Sequence, residues 1–161
     1  MIQAGQHDSF DRKILAALTR DGRLSWRDLS SEIGLSLTPT VRRVRRLESE
    51  GYIQGYTAKI DEARLMGKMT VFVSVTLERQ VDDALSVFET KVAAFPEVMG
   101  GFLMTGGADY LLHVVVRDLD HYQELLSVLT RTPGVAHIQS SFALKAFIRR
   151  NSPLMTTGLR R

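Results

Sequence analysis

The sequence predicts an α+β protein made of two parts: three short N-terminal helices, followed by a unit in which strand–helix–strand occurs twice. Up to residue 50, apolar residues recur every three or four positions, which is typical of amphipathic helices. The stretches "TVFVSVTLE" and "YLLHVVVRD" are short apolar strands, and a helical pattern follows each of them. Pro96 and Pro133, 37 residues apart, then each end a helix and introduce another strand.

Length and composition narrow the class of protein. The chain has 161 residues, of which 44% are hydrophobic, so it can bury one large core or two small ones. Its lack of cysteine excludes a disulfide framework, thiolate metal sites and a cysteine nucleophile. No stretch approaches the ~20 apolar residues of a membrane span, and no charged start leads into an apolar signal segment. We therefore expect a cytoplasmic protein.

Charge is distributed unevenly along the chain. Residues 1–60 carry 10 Lys and Arg against 7 Asp and Glu, residues 61–144 carry 6 against 11, and residues 145–161 carry 5 against none. The net charge of the whole chain is +3. A basic start, an acidic middle and a basic end indicate that the first segment has an anionic partner and that the middle does not.

The first helix is predicted in "DSFDRKILAALTRDG" and the second in "SWRDLSSEIG". Asp8 and Ser25 are suitable N-caps, and each is followed three residues later by an acid that suits the positive end of a helix dipole. Gly22 can close the first helix in a left-handed conformation, and Gly34 stops the second. The residues that we expect in the core or at its rim are Phe10, Ile14, Ala17, Leu18, Trp26, Leu29 and Ile33.

The third helix follows Ser36 and carries four arginines within five positions, in "LTPTVRRVRRLESEG". Pro39 lies in its first turn, where a missing N–H costs nothing. At ~100° per residue, one side of the helix collects the residues that we expect to be buried, which are Leu37, Thr40, Val41, Val44 and Leu47. The opposite direction is bracketed by Arg42 and Arg46. Thr38 and Pro39 extend this outer face, and Arg43 and Arg45 flank it.

Two interpretations of the arginine run are open. Charge runs on helices are most often solvated surface, but a solvated helix usually mixes signs, whereas residues 36–47 contain no acid. The second and third helices, joined by "GLS", leave the third free on one side, which is the helix-turn-helix arrangement. Arginine can grip guanine or phosphate, and threonine can contact a thymine methyl group or a phosphate. We therefore expect DNA to be bound by Ser36, Thr38, Pro39, Arg42, Arg43, Arg45 and Arg46.

The remaining sequence predicts a linker and a second domain. "GYIQGYTAKID" is predicted as an extended strand or wing, and "EARLMG" as one helical turn that Gly67 ends. Helices over about 81–94 and 119–131 complete a ferredoxin-like βαββαβ pattern, and "TGGADY" joins its two halves. The predicted domains are residues 1–52 for the helix-turn-helix, 53–67 for the linker strand, 68–148 for the βαββαβ domain and 149–161 for a basic tail.

The strands of the second domain are apolar on both faces. Val71, Val73, Val75 and Leu77 alternate on one face of the first strand, and Phe72 lies on the other. Because helices cover only one face of such a sheet, we expect the other face to pack on a second subunit. A dimer also suits DNA binding, since two recognition helices can reach half-sites about one turn, ~34 Å, apart.

With these segments in this order, the sequence resembles the Lrp/AsnC family of transcriptional regulators, also called feast/famine regulatory proteins. The resemblance is carried by "DRKILAALTRDGRLSWRDLSSEIGLS", "VRRVRRLESEGYIQGYTAKID", "FPEVMGGFLMTGGADYLLHVVV" and "TPGVAHIQSSFAL". It implies a regulator that binds double-stranded DNA, with pseudo-palindromic half-sites, through a winged or simple helix-turn-helix. It also implies an effector domain that forms dimers, often assembled into tetramers or octamers, and that binds an amino acid between dimers.

The resemblance places the effector at the loop "TGGADY" between the second and third strands. Backbone N–H groups suit the carboxylate of an amino acid, and an aspartate suits its ammonium group. Ala108 stands where the family commonly has a larger residue, and Gly-Gly-x-Asp is also an ordinary β-turn, which is the competing interpretation. The implied effector residues are Thr105, Gly106, Gly107 and Asp109 in the loop, with His137 and Ser140 in the last strand.

Two other functions remain open from the sequence. Some proteins that resemble the family are sirohaem decarboxylases, which need cationic and imidazole groups around a tetrapyrrole, and the four histidines here are scattered at 7, 113, 121 and 137. An architectural DNA-binding protein without an effector would share the helix-turn-helix. The chain has no glycine-rich phosphate loop, no metal-spaced His and Asp set and no nucleophile elbow. We therefore expect no enzyme activity, no catalytic or metal-binding residues, no cofactor and no membrane partner.

Overall fold

The computed structural model describes residues 8–148, apart from the side chain of Glu62. The described residues form two compact units, which divide between Lys59 and Ile60. This boundary falls within the predicted linker of residues 53–67. The predicted basic tail, residues 149–161, lies outside the described residues.

Three helices make up the first unit. They are α1 (Ser9–Arg20), α2 (Trp26–Ile33) and α3 (Leu37–Ser49). Asp8 caps α1 by accepting two backbone N–H bonds from its first turn. Ser25 caps α2 by accepting the N–H of Asp28, and Gly34 ends α2 at φ 75°. The first turn of a helix leaves such donors unpaired, so these caps account for the helix starts, which are confirmed as predicted.

Some details of the first unit differ from the sequence-based expectation. Gly22 does not close α1, because the chain turns out of the helix at Asp21 in an extended conformation, and Gly22 has no positive φ. Leu37 is exposed rather than buried, because the packed part of α3 begins one turn later, at Thr40. Trp26 is exposed, which agrees with the rim position among the two that were expected for it.

A small apolar core joins the three helices. Its buried members come from all three, and they are Ile14, Ala17, Leu29, Ile33, Val44 and Leu47. These residues were expected on the buried stripes, and the expectation is confirmed. Burying a side chain of this size stabilises the fold by about 1.5–3 kcal/mol. The apolar side of α3 therefore fixes which of its sides is left to solvent.

The segment that leaves α3 is neither helix nor strand from residue 54 to residue 61. The predicted linker strand is therefore wrong, because a strand needs a neighbour to pair its backbone groups, and the sheet formed by the described residues begins only at Met69. The predicted single helical turn follows as α4 (Glu62–Leu65).

The second unit is a four-stranded antiparallel sheet with two longer helices. Its elements are β1 (Met69–Leu77), α5 (Asp82–Val92), β2 (Val98–Leu103), β3 (Tyr110–Val116), α6 (Leu119–Thr130) and β4 (Val135–Ala143). The strand order is β2-β3-β1-β4, and each neighbouring pair is antiparallel. The predicted βαββαβ arrangement is confirmed. Among residues 8–148, no helix is long and apolar enough to cross a membrane.

The sheet has one covered face and one open face. On the covered face Val71, Val73 and Val75 pack with buried residues of α5 and α6. On the open face Phe72 is 39% exposed, and its ring stacks on His113 with the ring centroids 5.2 Å apart. The two faces divide as the alternation of apolar residues predicts.

Gly67 precedes β1 at a position where no side chain fits. Its φ is +127°, and a Cβ atom built on it would lie 2.3 Å from the Cα of Arg117 and 2.4 Å from the carbonyl oxygen of Val116. We expect Gly67→Ala to lower the free energy of unfolding by about 2 kcal/mol or more. Alanine would be strained at this positive φ, and its Cβ would clash with main-chain atoms, which cannot move aside as a side chain can.

Thermal melting of the full chain measures this effect. Gly107→Ala is the matched control, since no atom lies within 4 Å of its Cβ position. The control should melt close to the wild type. Equal melting temperatures for the two variants would show that Gly67 is not constrained in this way.

Candidate nucleic-acid interface and effector loop

The start of α3 places polar groups at the surface. Ser36 occupies the N-cap position, but its side chain makes no capping hydrogen bond. The buried hydroxyl of Thr40 donates to the carbonyl oxygen of Ser36 at 2.9 Å, which satisfies it. Thr38 is exposed and Pro39 is half-buried. Of the predicted DNA-binding residues in this first turn, Ser36 and Thr38 are therefore the most accessible to a ligand.

The four arginines of α3 are divided into two pairs. Arg43 and Arg46 bond Asp11, whose side chain is only 1% exposed. Nη1 of Arg43 lies 2.9 Å from one carboxylate oxygen, and Nη2 of Arg46 lies 2.5 Å from the other. A buried carboxylate is costly unless its oxygens are given donors, and the two guanidinium groups supply them. Arg42 and Arg45 are exposed, and neither forms an ion pair with residues 8–148.

Asp8 supplies a second carboxylate to Arg43, one of the two arginines that bond Asp11. Its Oδ2 lies 2.7 Å from Nη1 of Arg43. The backbone N–H of Asp11, together with the guanidinium of Arg43, holds the pKa of Asp8 below its usual value. The hydrogen bond to Asp11 in turn raises the pKa of Arg43. The Arg43 guanidinium also lies over the ring of Phe10, 5.6 Å from its centroid. Asp8, Phe10 and Asp11, at the start of α1, therefore all contact this guanidinium.

This pairing turns the outward side of α3 away from the predicted direction. The sequence places that direction between Arg42 and Arg46, whereas the structure places it between Arg42 and Arg45. The difference is about 50°, at ~100° per residue. The start of α1 partly covers Arg43, whose side chain is 23% exposed, whereas the side chain of Arg46 is 43% exposed and is held by its bond to Asp11. The roles of all four arginines toward DNA remain predictions, and the structure ranks Arg42 and Arg45 first.

Asp11 is a functional candidate that the sequence does not single out. An acid in the first turn of a helix is already explained by the helix dipole, so its partner on α3 is not evident. The spacing of Asp11 from the apolar residues of α1 does indicate that it is buried. Asp11 precedes Ile14 by three residues and Leu18 by seven, which places it on the apolar stripe of α1. A carboxylate on a buried stripe requires a partner.

The loop between β2 and β3 is tied to the end of β1 by Asp109. Its backbone N–H donates to the carbonyl of Val75 at 2.9 Å, and its carbonyl accepts the N–H of Met104 at 2.7 Å. Asp109 is only 6% exposed. Oδ2 accepts the N–H of Leu77 at 2.7 Å, and Oδ1 accepts the side-chain amide of Gln80 at 2.5 Å. Asp109 therefore holds the shape of the loop through four hydrogen bonds.

The tip of this loop presents main-chain groups to solvent. Thr105, Gly106 and Gly107 are exposed. Gly106 has a φ of +126°, a conformation that favours glycine. Within residues 8–148, the N–H groups of the two glycines have no hydrogen-bond partner. Such donors can receive a carboxylate.

The two predicted effector residues of β4 lie on opposite faces of the sheet. His137 is opposite Thr76, at the end of the sheet that also carries the loop. Ser140 is opposite Val73, and its hydroxyl bonds the hydroxyl of Tyr122 on the covered face. The structure therefore brings His137 toward the loop end of the sheet and directs Ser140 toward α6.

Known families match both units of the chain. A winged helix-turn-helix DNA-binding model matches residues 7–54, and an Lrp/AsnC ligand binding domain model matches residues 70–153. The chain is 60% identical over 147 residues to the Bkd operon transcriptional regulator of Pseudomonas aeruginosa, which covers 91% of this chain and 96% of that protein. It is 45% identical over 129 residues to the leucine-responsive regulatory protein of Escherichia coli K12, which covers 80% of this chain and 79% of that protein.

Solved structures agree with these matches. A transcriptional regulator from Neisseria meningitidis, described as a complex with L-Met, is 34% identical with a TM-score of 0.87, covering 92% of this chain and 96% of that one. An AsnC family regulator from Agrobacterium tumefaciens has the same identity and TM-score, covering 91% and 96%. The named relatives are transcriptional regulators, which supports a regulator rather than an enzyme. The chain belongs to the Lrp/AsnC family of DNA-binding transcriptional regulators.

Proposed function

We propose that this regulator recognises specific, pseudo-palindromic DNA sequences as a homodimer and responds to an amino acid. The observation that carries the DNA part is the exposed pair Arg42 and Arg45, on the acid-free outer side of a helix that is docked by its other sides. Guanidinium groups can make bidentate hydrogen bonds to guanine O6 and N7 in the major groove. The cytoplasm is the compartment in which a bacterial protein meets such DNA.

The open face of the sheet supports the homodimer. Phe72 and His113 form a stacked, partly exposed aromatic pair at its centre, and Phe102 on neighbouring β2 is also exposed. Apolar surface of this kind is stabilised when a second copy covers it. A dimer would carry two copies of α3 and could reach half-sites about one helical turn, ~34 Å, apart. Assembly of dimers into tetramers or octamers is part of the same proposal.

The loop between β2 and β3 supports the effector. Its exposed glycine N–H groups can bind a carboxylate, and an aspartate keeps unused acceptor capacity when each of its oxygens has accepted one bond. One solved relative is described as an L-Met complex, and another relative is named leucine-responsive. We therefore propose that an amino acid binds at this loop, at a site shared between subunits, with His137 at the same end of the sheet. Ser140 belongs to the proposed site only if its bond to Tyr122 is exchanged.

Selection from a pool of randomised DNA duplexes tests the function as a whole. The full chain should enrich one pseudo-palindromic sequence, and added L-leucine or L-methionine should change its affinity for that sequence. A protein that enriches no sequence would be an architectural DNA-binding protein instead. A protein that enriches a sequence but responds to none of the twenty amino acids would lack the proposed effector.

The first prediction concerns Arg42. Arg42→Ala should cost about 1–3 kcal/mol at the selected sequence if the side chain reads a base. If it reaches only phosphate, affinity should fall about equally for all sequences, and the slope of log affinity against log salt should drop by about one unit. Gel-shift titration at several salt concentrations distinguishes the two. Arg20→Ala is the control, because Arg20 is an exposed arginine of α1 that pairs with Glu32. Unchanged binding by Arg42→Ala would exclude its role.

A second prediction concerns the open face of the sheet. Phe72→Asp should break the dimer, because burying an unpaired carboxylate costs on the order of 3 kcal/mol or more, or about a hundredfold in the dissociation constant. Sedimentation of the full chain measures this. Val87→Asp is the matched control, since Val87 is an exposed apolar residue of α5, away from the open face. A stable dimer of Phe72→Asp would mean that the interface lies elsewhere.

The third prediction separates the two roles of Asp109. Asp109→Asn should weaken binding of L-leucine or L-methionine about tenfold to a hundredfold, because a charge-assisted bond is worth roughly 1.5–3 kcal/mol. It should also lower the melting temperature, since two donors lose a charged acceptor. Gln80→Ala is the control: it removes one of the same bonds and keeps the charge, so it should lower the melting temperature alone. If Asp109→Asn binds the ligand as tightly as wild type, the aspartate serves only the turn.

A further inference from the structure

The cluster at the start of α1 carries no net positive charge. The carboxylates of Asp8 and Asp11 and the guanidinium groups of Arg43 and Arg46 are joined by ion pairs of 2.7, 2.9 and 2.5 Å. Oε1 of Glu50 lies 3.9 Å from Nε of Arg46 and adds a third carboxylate. A cluster without net positive charge releases few counterions from DNA, because that release follows the positive charge brought to the phosphates. The positive charge that this part of α3 offers to an anion therefore comes from the exposed arginines outside the cluster.

Asp11 is the member of the cluster that holds the two arginines in place. Its side chain is 1% exposed, so water cannot replace the guanidinium groups as donors. Each oxygen accepts a bond from a different arginine. Removing the partners of a buried charge is strongly unfavourable. Arg43 and Arg46 therefore stay directed toward α1 when another anion approaches.

We propose that Asp11 is a positioning residue for DNA recognition, which withholds Arg43 and Arg46 from the phosphate backbone and leaves Arg42 and Arg45 to contact DNA. This inference rests on the proposed DNA-reading role of α3. A guanidinium that reaches phosphate attracts every sequence equally, whereas one directed at a base edge discriminates between sequences. Withholding two of the four arginines lowers the affinity for arbitrary DNA relative to the specific site.

Asp11→Asn tests the proposal, because it keeps the shape of the side chain and removes one negative charge from the cluster. For a mixed-sequence duplex, the slope of log affinity against log salt should steepen by about one unit, and affinity at about 50 mM salt should rise roughly tenfold. The ratio of affinities for the selected and mixed duplexes should fall. Fluorescence anisotropy titration of the full chain measures all three. A purely structural role for Asp11 predicts weaker binding and no steeper slope.

Glu32→Gln is the matched control for net charge. It also adds one positive charge to the first unit, but Glu32 pairs with Arg20 at 2.6 Å and makes no bond to α3. The control should leave the salt slope unchanged. If both variants steepen the slope equally, the effect is one of total charge and the proposal is wrong. A slope that is unchanged in a well-folded Asp11→Asn protein also overturns it.

A second pair of variants keeps the test decisive if Asp11→Asn fails to fold. Arg45→Gln should lower the salt slope by about one unit, whereas Arg46→Gln should leave it nearly unchanged. Arg43 and Arg46 help to line an open concavity of about 330 Å³ beside Asp8. If phosphate enters this concavity, the two variants will lose equal slope, and the proposal is overturned. Mixed-sequence DNA is used throughout, so a failure to select a specific sequence would count against the proposed function and not against this inference.

Discussion

A carboxylate that is taken out of water must be supplied with donors, and this requirement shapes both units of the protein. In the first unit Asp11 draws two guanidinium groups of α3 to the start of α1. In the second, Asp109 draws the backbone N–H of Leu77, the last residue of β1, and the side-chain amide of Gln80 to the loop before β3. Each aspartate joins segments more than 25 residues apart in sequence. Asp11 orients the helix that is proposed to bind DNA, and Asp109 lies in the loop that is proposed to bind an amino acid.

The orientation of α3 follows from contacts on two of its sides. Val44 and Leu47 are fully buried against α1 and α2 and set the depth of docking. The ion pairs with Asp11 add a second, directional constraint, because each bond requires a defined position of the guanidinium group. With both sides engaged, the outer side is left to Arg42 and Arg45. In the proposed DNA-binding role, rigid support of this kind would help a few side chains to reach base edges rather than only phosphates.

Local patterns in the sequence predict most of the fold, because they report local physics. Asp8 and Ser25 cap their helices as expected, and Val71 and Val73 lie on the covered face because residues two apart in a strand point the same way. Contacts between residues that are far apart in the sequence are harder to predict from it. Asp11 is consistent with a dipole effect alone, and the turn sequence around Asp109 does not reveal its bond to Leu77. The outward side of α3 could therefore be identified only from the structure.

Nuclear magnetic resonance of the arginine side chains shows most directly whether Asp11 keeps Arg43 and Arg46 from DNA. The Nε–H signals of the four arginines of α3 would be assigned through single Arg→Lys variants and followed as the selected duplex is added to the full chain. The chemical shifts of Arg42 and Arg45 should change on binding. Those of Arg43 and Arg46 should not change, because these side chains are already held by Asp11. Shifts of similar size for all four would contradict this division of the recognition helix.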